Sequence, residues 1–151
     1  MSRRAGWTLA IAAAVGCSEG PPPPAPLDTR NEWCGSCRMA VSDARLASQL
    51  VAPSEEPKFF DDLGCLARYL RATKAPPPGM RAYVADHRTK AWVSAADAVY
   101  TRVPGLETPM ASHLLAHADD ASRDADPDAR GGTSVTPIDV FGAPLPRAVR
   151  P

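Results

Sequence analysis

The chain has 151 residues, of which 17 are proline, 44% are hydrophobic and 23% are charged. This length suits one domain or two small ones, and the proline content predicts long loops or linkers beside a globular part. Basic and acidic residues both number 17, so the formal net charge is zero, and we set a nucleic-acid role aside because no basic surplus is there to neutralise phosphates.

The N-terminus is predicted to be an export signal. Two arginines precede an apolar stretch at 7–15, which is too short to span a bilayer and has the length of a signal-peptide core. The stretch ends in Ala14-Val15-Gly16-Cys17, which resembles a bacterial lipobox. We therefore expect residues 1–16 to be removed and Cys17 to carry a lipid. The protein would then be anchored in the bacterial cell envelope and face the periplasm, with Ser18 favouring the outer membrane.

The mature chain is predicted to start with a tether at 17–30, because its proline run is typical of a semi-rigid extended spacer. The folded part is expected to cover 31–141. The tail at 142–151 contains three prolines, and we expect it to be disordered.

The first half of the folded part is predicted to form short strands and one helix. Asp61 or Asp62 is placed to cap a helix whose apolar positions recur at helical spacing, namely Leu63, Leu66, Ala67 and Leu70. The segment 73–79 holds three prolines and ends that helix. The predicted strands lie at 38–41, 46–52 and 58–60.

The second half repeats this plan with weaker signals. A capping box at 94–97 predicts a short helical stretch, and 119–130 predicts a weak helix that contains Pro127. Extended segments are predicted at 81–85, 90–93, 100–103, 113–116 and 133–137. The fold class is therefore α+β, with two small tandem ββα-type units of mainly antiparallel strands and short helices. The units would form two lobes, about 31–75 and 79–141, or one fused sheet.

The strongest chemical signal is the segment Trp33-Cys34-Gly35-Ser36-Cys37-Arg38-Met39. A thioredoxin-like redox pair would need a helix directly after the cysteines, whereas a strand–turn pattern follows. A zinc site would have to draw on Cys65 and the scattered histidines His87, His113 and His117. A structural disulfide between Cys34 and Cys37 would leave Cys65 unpaired.

A soft-metal site is the fourth interpretation. Cys37 and Met39 lie two positions apart, so a strand would turn both sulfur atoms to one face. Thiolate and thioether ligands together select Cu(I). Met110 follows a proline that fixes its backbone, and it is the natural third ligand.

Other candidate ligands are weaker. Cys34 and His113 could complete the set, and Cys65 either approaches the metal or fills a small buried space beside the second lobe. His87 falls in a predicted turn and is expected to be solvated.

These motifs together resemble the NosL family, copper-binding lipoproteins of nitrous-oxide reductase maturation. Arg38 and Ala111 stand where the family usually has glycine. The resemblance runs through the lipobox, Cys34–Met39, Lys58–Cys65, Ala82–Asp86, Ala91–Ala98, Thr108–Met110 and Gly131–Gly132.

The resemblance implies two ββα-type units and Cu(I) bound through Cys37, Met39 and Met110. It also implies a non-enzymatic chaperone that hands copper to apo nitrous-oxide reductase or another copper enzyme, with a membrane transporter of the maturation system as docking partner. Two alternatives stay open: an extracytoplasmic thiol–disulfide oxidoreductase that uses Cys34 and Cys37, and a lipoprotein that binds a partner protein and uses its cysteines as a staple.

Overall fold

The computed structural model describes residues 20–147, so the predicted signal peptide and Cys17 lie outside the described residues. Within this range the chain forms seven strands, three α-helices and one 3₁₀ helix. In chain order these are β1 (Ser48–Val51), β2 (Lys58–Phe60), α1 (Leu63–Ala72), β3 (Arg81–Ala85), β4 (Trp92–Ser94), β5 (Val99–Arg102), β6 (Leu114–His117), α2 (Asp120–Asp124), the 3₁₀ helix (Pro127–Ala129), β7 (Thr133–Val135) and α3 (Pro137–Phe141). The predicted α+β class is confirmed.

The strands form two antiparallel sheets, in the orders β2-β1-β3-β4 and β6-β5-β7. In the first sheet Gln49 of β1 lies between Phe59 of β2 and Tyr83 of β3. Strands from both sides of 73–79 therefore share one sheet. The segment at about 75–79, predicted as the boundary between two lobes, lies between α1 and β3 of this sheet, and the second sheet is formed by β5, β6 and β7.

Helix α1 begins where the sequence predicted. The Asp62 side chain accepts a hydrogen bond from the backbone N–H of Gly64 and thereby caps the helix. The buried side chains of the helix are Leu63, Cys65, Leu66 and Ala67. This face is wider than the predicted stripe, because Cys65 is buried as well.

Helix α3 was not predicted, although its signals are local. Thr136 and Asp139 form a reciprocal capping box, Pro137 occupies the first turn, and Gly142 ends the helix with a φ of 81°. The helix packs against α1, where Arg71 donates a hydrogen bond to the carbonyl of Val140 at 3.2 Å.

The predictions for two short segments, 38–41 and 94–97, were wrong. Residues 38–41 form no strand, only a single bridge between Trp33 and Ala40. The segment 94–97 is the end of β4 and a tight turn rather than a helix.

The described part of the predicted tether lies against the fold. The backbone N–H of Ala25 donates to Gln49 Oε1 at 2.8 Å, and Gln49 Nε2 donates back to the Ala25 carbonyl at 3.1 Å. Tyr83 Oη donates to the carbonyl of Pro22 at 2.6 Å. Since neighbouring strands supply these groups, the first sheet holds the segment from Pro22 to Ala25 in place, and this part is not a free spacer.

The first residues of the tail that was predicted to be disordered also contact the fold. Leu145 packs against the core, and Arg147 lies 3.5 Å from the carboxylate of Asp97. Residues 142–147 therefore contact the fold, whereas 148–151 lie outside the described residues. Among residues 20–147, no helix combines the length and the apolar character that crossing a membrane requires.

Candidate metal centre

Cys34 and Cys37 lie in a tight turn. The backbone N–H of Cys34 donates to the carbonyl of Met39 at 2.7 Å, and that of Arg38 donates to the carbonyl of Cys34 at 3.0 Å. Arg38 adopts a φ of 67°, in the left-handed region that glycine occupies without a steric penalty. The expectation that Cys37 and Met39 share one face of a strand was therefore wrong, because the chain reverses between them.

The turn is fastened to the first sheet. The backbone N–H of Gly35 donates to the carbonyl of Phe59 at 2.8 Å. A Cβ atom at Gly35 would lie only 3.3 Å from the ring of Phe60, so glycine lets the turn approach this buried ring closely. The anchoring fixes where the two cysteines lie relative to β2.

Three cysteines and one carboxylate converge at this turn. The Sγ atoms of Cys34, Cys37 and Cys65 and a carboxylate oxygen of Asp61 all lie within 4.8 Å of one another. Two thiols come from the turn, Asp61 follows β2, and Cys65 lies in the first turn of α1. We call these four residues the thiol cluster. The cysteines are free thiols.

Burial in the thiol cluster is uneven. Cys34, Cys65 and Asp61 are buried, whereas Cys37 is partly exposed. Cys37 Sγ donates to Asp61 Oδ2 at 3.2 Å, and Asp61 Oδ1 is buried without a hydrogen-bond partner among the described residues. The cluster therefore has one accessible side, at Cys37.

The surroundings keep the thiols of Cys37 and Cys65 protonated at neutral pH. Burial raises the pKa of Cys37 to about 11, against a smaller opposing effect of the Met39 backbone N–H. Burial and then the nearby Cys34 raise the pKa of Cys65 well above its ordinary range. A metal ion would have to displace these protons, since thiolates are the ligating form.

The backbone around the two cysteines disfavours the redox alternative. A reactive redox cysteine normally lies at a helix N-terminus, where its pKa is lowered. Neither Cys34 nor Cys37 begins a helix, because the next α-helix among the described residues begins only at Leu63.

The two predicted methionine ligands, Met39 and Met110, lie in two different loops. Met39 directly follows the turn, and its side chain is 45% exposed. The backbone N–H of Met110 donates to Asp62 Oδ2 at 3.0 Å, which places the 108–113 loop at the N-terminus of α1. Ala111 in this loop has a φ of 53°, so it adopts the left-handed region, as Arg38 does.

His113 was predicted as a further ligand, and it does not converge with the thiol cluster. Its Nδ1 lies 2.6 Å from the carbonyl oxygen of Leu106, so this nitrogen carries the proton and donates it. The imidazole thus holds its own loop together.

Asp61 was missed as a site residue, because its position before α1 marked it only as a possible cap. Asp62 is the cap, which leaves Asp61 free to face the cysteines. The spacing of four residues between Asp61 and Cys65 was the available signal.

His87 is buried rather than solvated. Its backbone N–H donates to the carbonyl of Ala116 at 2.9 Å, which pulls the turn after β3 onto β6. There its imidazole meets His117 and Asp126, at a place distinct from the thiol cluster.

Comparison of the chain with protein-family models, with curated proteins and with solved structures finds no match.

Proposed function

We propose that the protein is a Cu(I)-binding metallochaperone of the bacterial cell envelope, anchored through a lipid on Cys17. It would hand copper to apo nitrous-oxide reductase or another copper enzyme, with a membrane transporter of the maturation system as its docking partner. The observation that supports this proposal is the convergence of three free thiols within 4.8 Å. Thiolate ligands favour Cu(I) over harder ions.

The uneven burial of the thiol cluster suits transfer by ligand exchange. Cys34 and Cys65 would hold the ion from the buried side, while Cys37 lies at the accessible side. An incoming ligand of the recipient would approach from there, beside the exposed thioether of Met39. Copper would then move from the thiolates of this chain to the recipient's ligand without release into solution.

In this proposal Asp61 orients the protonated thiol of Cys37 before the ion binds, and it is not itself a ligand of the ion. Asp61→Asn is therefore expected to lower Cu(I) affinity by no more than the roughly 10- to 100-fold typical of outer-shell changes. Zn(II) favours four ligands and would take the carboxylate as its fourth, so its affinity should fall further. Competition titrations of both ions measure the two losses.

Asp97→Asn is the matched control, because Asp97 is an exposed carboxylate outside the cluster. A loss of Cu(I) affinity in Asp61→Asn as large as the loss of Zn(II) affinity would contradict a site made of sulfur alone.

Transfer itself is testable with the loaded protein. Mixing it with apo nitrous-oxide reductase, in the presence of a chelator that captures free Cu(I), should move copper into the enzyme rather than into the chelator. Met39→Leu keeps the volume of the side chain and removes its sulfur, so this variant should transfer more slowly. Capture of all the copper by the chelator would overturn the chaperone role and leave only a copper-binding protein.

A further inference from the structure

A second group of potential ligands is enclosed by the turn after β3, the end of β6 and the residue before the 3₁₀ helix. His87 Nδ1 lies 2.7 Å from Asp126 Oδ2, and His117 Nε2 lies 2.9 Å from the same oxygen. The residues are 4%, 0% and 3% exposed for His87, His117 and Asp126. Three ligating side chains from three separate elements thus converge in the protein interior.

The orientation of Asp126 is fixed from outside the group. Its Oδ1 accepts a hydrogen bond from the backbone N–H of Asp128 at 3.0 Å, which turns Oδ2 toward both imidazoles. His87 is held by its backbone hydrogen bond to β6, and His117 lies on β6 itself. The ligand atoms are therefore positioned by the fold, as a preformed metal site requires.

The proton positions follow from the shared oxygen. A carboxylate accepts only, so each imidazole donates from the nitrogen that faces Asp126. His117 Nδ1 then keeps a buried lone pair, and it has no partner among the described residues. A divalent ion that replaced the two facing protons would bind one nitrogen from each histidine and one carboxylate oxygen.

The distances are close to those of a metal site. Tetrahedral Zn(II) with bonds of about 2.0–2.1 Å separates its ligand atoms by about 3.3 Å, so the two histidine–aspartate distances need to lengthen by roughly 0.5 Å. Asp126 also lines a surface cleft together with Arg123, Ala129 and Gly132, so the group borders this cleft at its carboxylate. Binding moves the proton of each imidazole to its other ring nitrogen, Nε2 of His87 and Nδ1 of His117, and the buried N–H that this creates on His117 without an acceptor lowers the affinity.

We propose that His87, His117 and Asp126 form a second metal site, for a borderline divalent ion such as Zn(II). Two imidazoles and one carboxylate suit such an ion, whereas the thiol cluster suits a soft monovalent one. The protein would then bind two ions of different chemistry at two separate places. This inference does not depend on copper binding at the cysteines.

Titration with Co(II) tests the site, because the visible absorption spectrum of bound Co(II) depends on which atoms ligate the ion. A variant with Cys34, Cys37 and Cys65 all replaced by serine lacks the thiols of the cluster, and it should still bind one Co(II) with the visible bands of nitrogen and oxygen ligands and without a thiolate charge-transfer band. Zn(II) should displace the cobalt. His117→Gln, which retains a polar side chain of similar size, should lower the Co(II) affinity at least tenfold. Absence of a nitrogen–oxygen cobalt spectrum would overturn the proposal.

Imidazole ¹⁵N NMR spectra provide a second test that does not depend on the folding of His117→Gln. In the unsubstituted protein, Zn(II) should shift the ring ¹⁵N resonances of His87 and His117. Those of His113 should stay unchanged, because its imidazole lies outside this group and is hydrogen-bonded to the carbonyl of Leu106. Unchanged resonances of His87 and His117 at saturating Zn(II) would show a purely structural hydrogen-bonded group and would contradict the second site.

Discussion

Replacing Cys37 with serine is expected to abolish tight Cu(I) binding, with a loss of affinity of more than about 100-fold, beyond what outer-shell changes cause. The hydroxyl is a hard and weakly acidic ligand, and it removes the accessible member of the thiol cluster. Competition of the reduced protein with a chromogenic Cu(I) chelator under anaerobic conditions measures the loss.

Ser36→Ala is the matched control, because Ser36 lies in the same turn and carries no sulfur. Cys65→Ser should lose affinity in the same way, although Cys65 is 28 positions away in the sequence, since its thiol belongs to the same cluster. Unchanged Cu(I) affinity in Cys37→Ser would contradict the proposed site.

Replacing Phe60 with alanine is expected to lower the free energy of unfolding by about 3–5 kcal/mol, the usual cost of deleting a buried aromatic ring. The Phe60 side chain is fully buried, its ring centroid lies 5.2 Å from that of Tyr69, and the ring underlies the turn at Gly35. The cavity should therefore also loosen the turn that positions Cys34. Urea unfolding measures the first effect, and the rate at which the native protein is alkylated at Cys34 measures the second.

Ile138→Ala is the control for Phe60→Ala, because Ile138 is 56% exposed and should change stability little. A loss below about 1 kcal/mol in Phe60→Ala would mean that the ring does not support the core in the way described here.

Local signals allowed much of the fold to be predicted. The apolar runs of β1, β2 and β3 and the cap of α1 at Asp62 depend on neighbouring residues, and they lie where the sequence placed them. The capping box and the terminal glycine of α3 are equally local, and this helix was predictable from Thr136, Asp139 and Gly142.

Long-range pairing was not predictable in the same way. β1 pairs with β3 across the whole of α1, and His87 meets Asp126 across 39 positions. The proline-rich segment is held by Gln49 and Tyr83, whose roles appear only when β1 and β3 are adjacent. A single sequence contains no signal that specifies such partners.

The thiol cluster combines features that local sequence signals predict with features that depend on long-range contacts. Cys34 and Cys37 were identified from their spacing, but the left-handed backbone of Arg38 turned Met39 away from the strand geometry that had paired it with Cys37. Cys65 lay outside the predicted apolar stripe of α1. It is buried all the same, and its thiol lies against the turn of Cys34 and Cys37, a contact that the pattern of the helix alone does not show.

The central claim is that this chain binds one Cu(I) through its converging thiols. The most direct test is an anaerobic titration of the reduced protein, with Cys17 replaced by alanine, against a chromogenic Cu(I) competitor and with Zn(II) measured in parallel. The account predicts one tightly bound Cu(I) per chain that is lost in Cys37→Ser, and weaker binding of Zn(II). Failure to compete for Cu(I), or tighter binding of Zn(II) at the same cysteines, would contradict it.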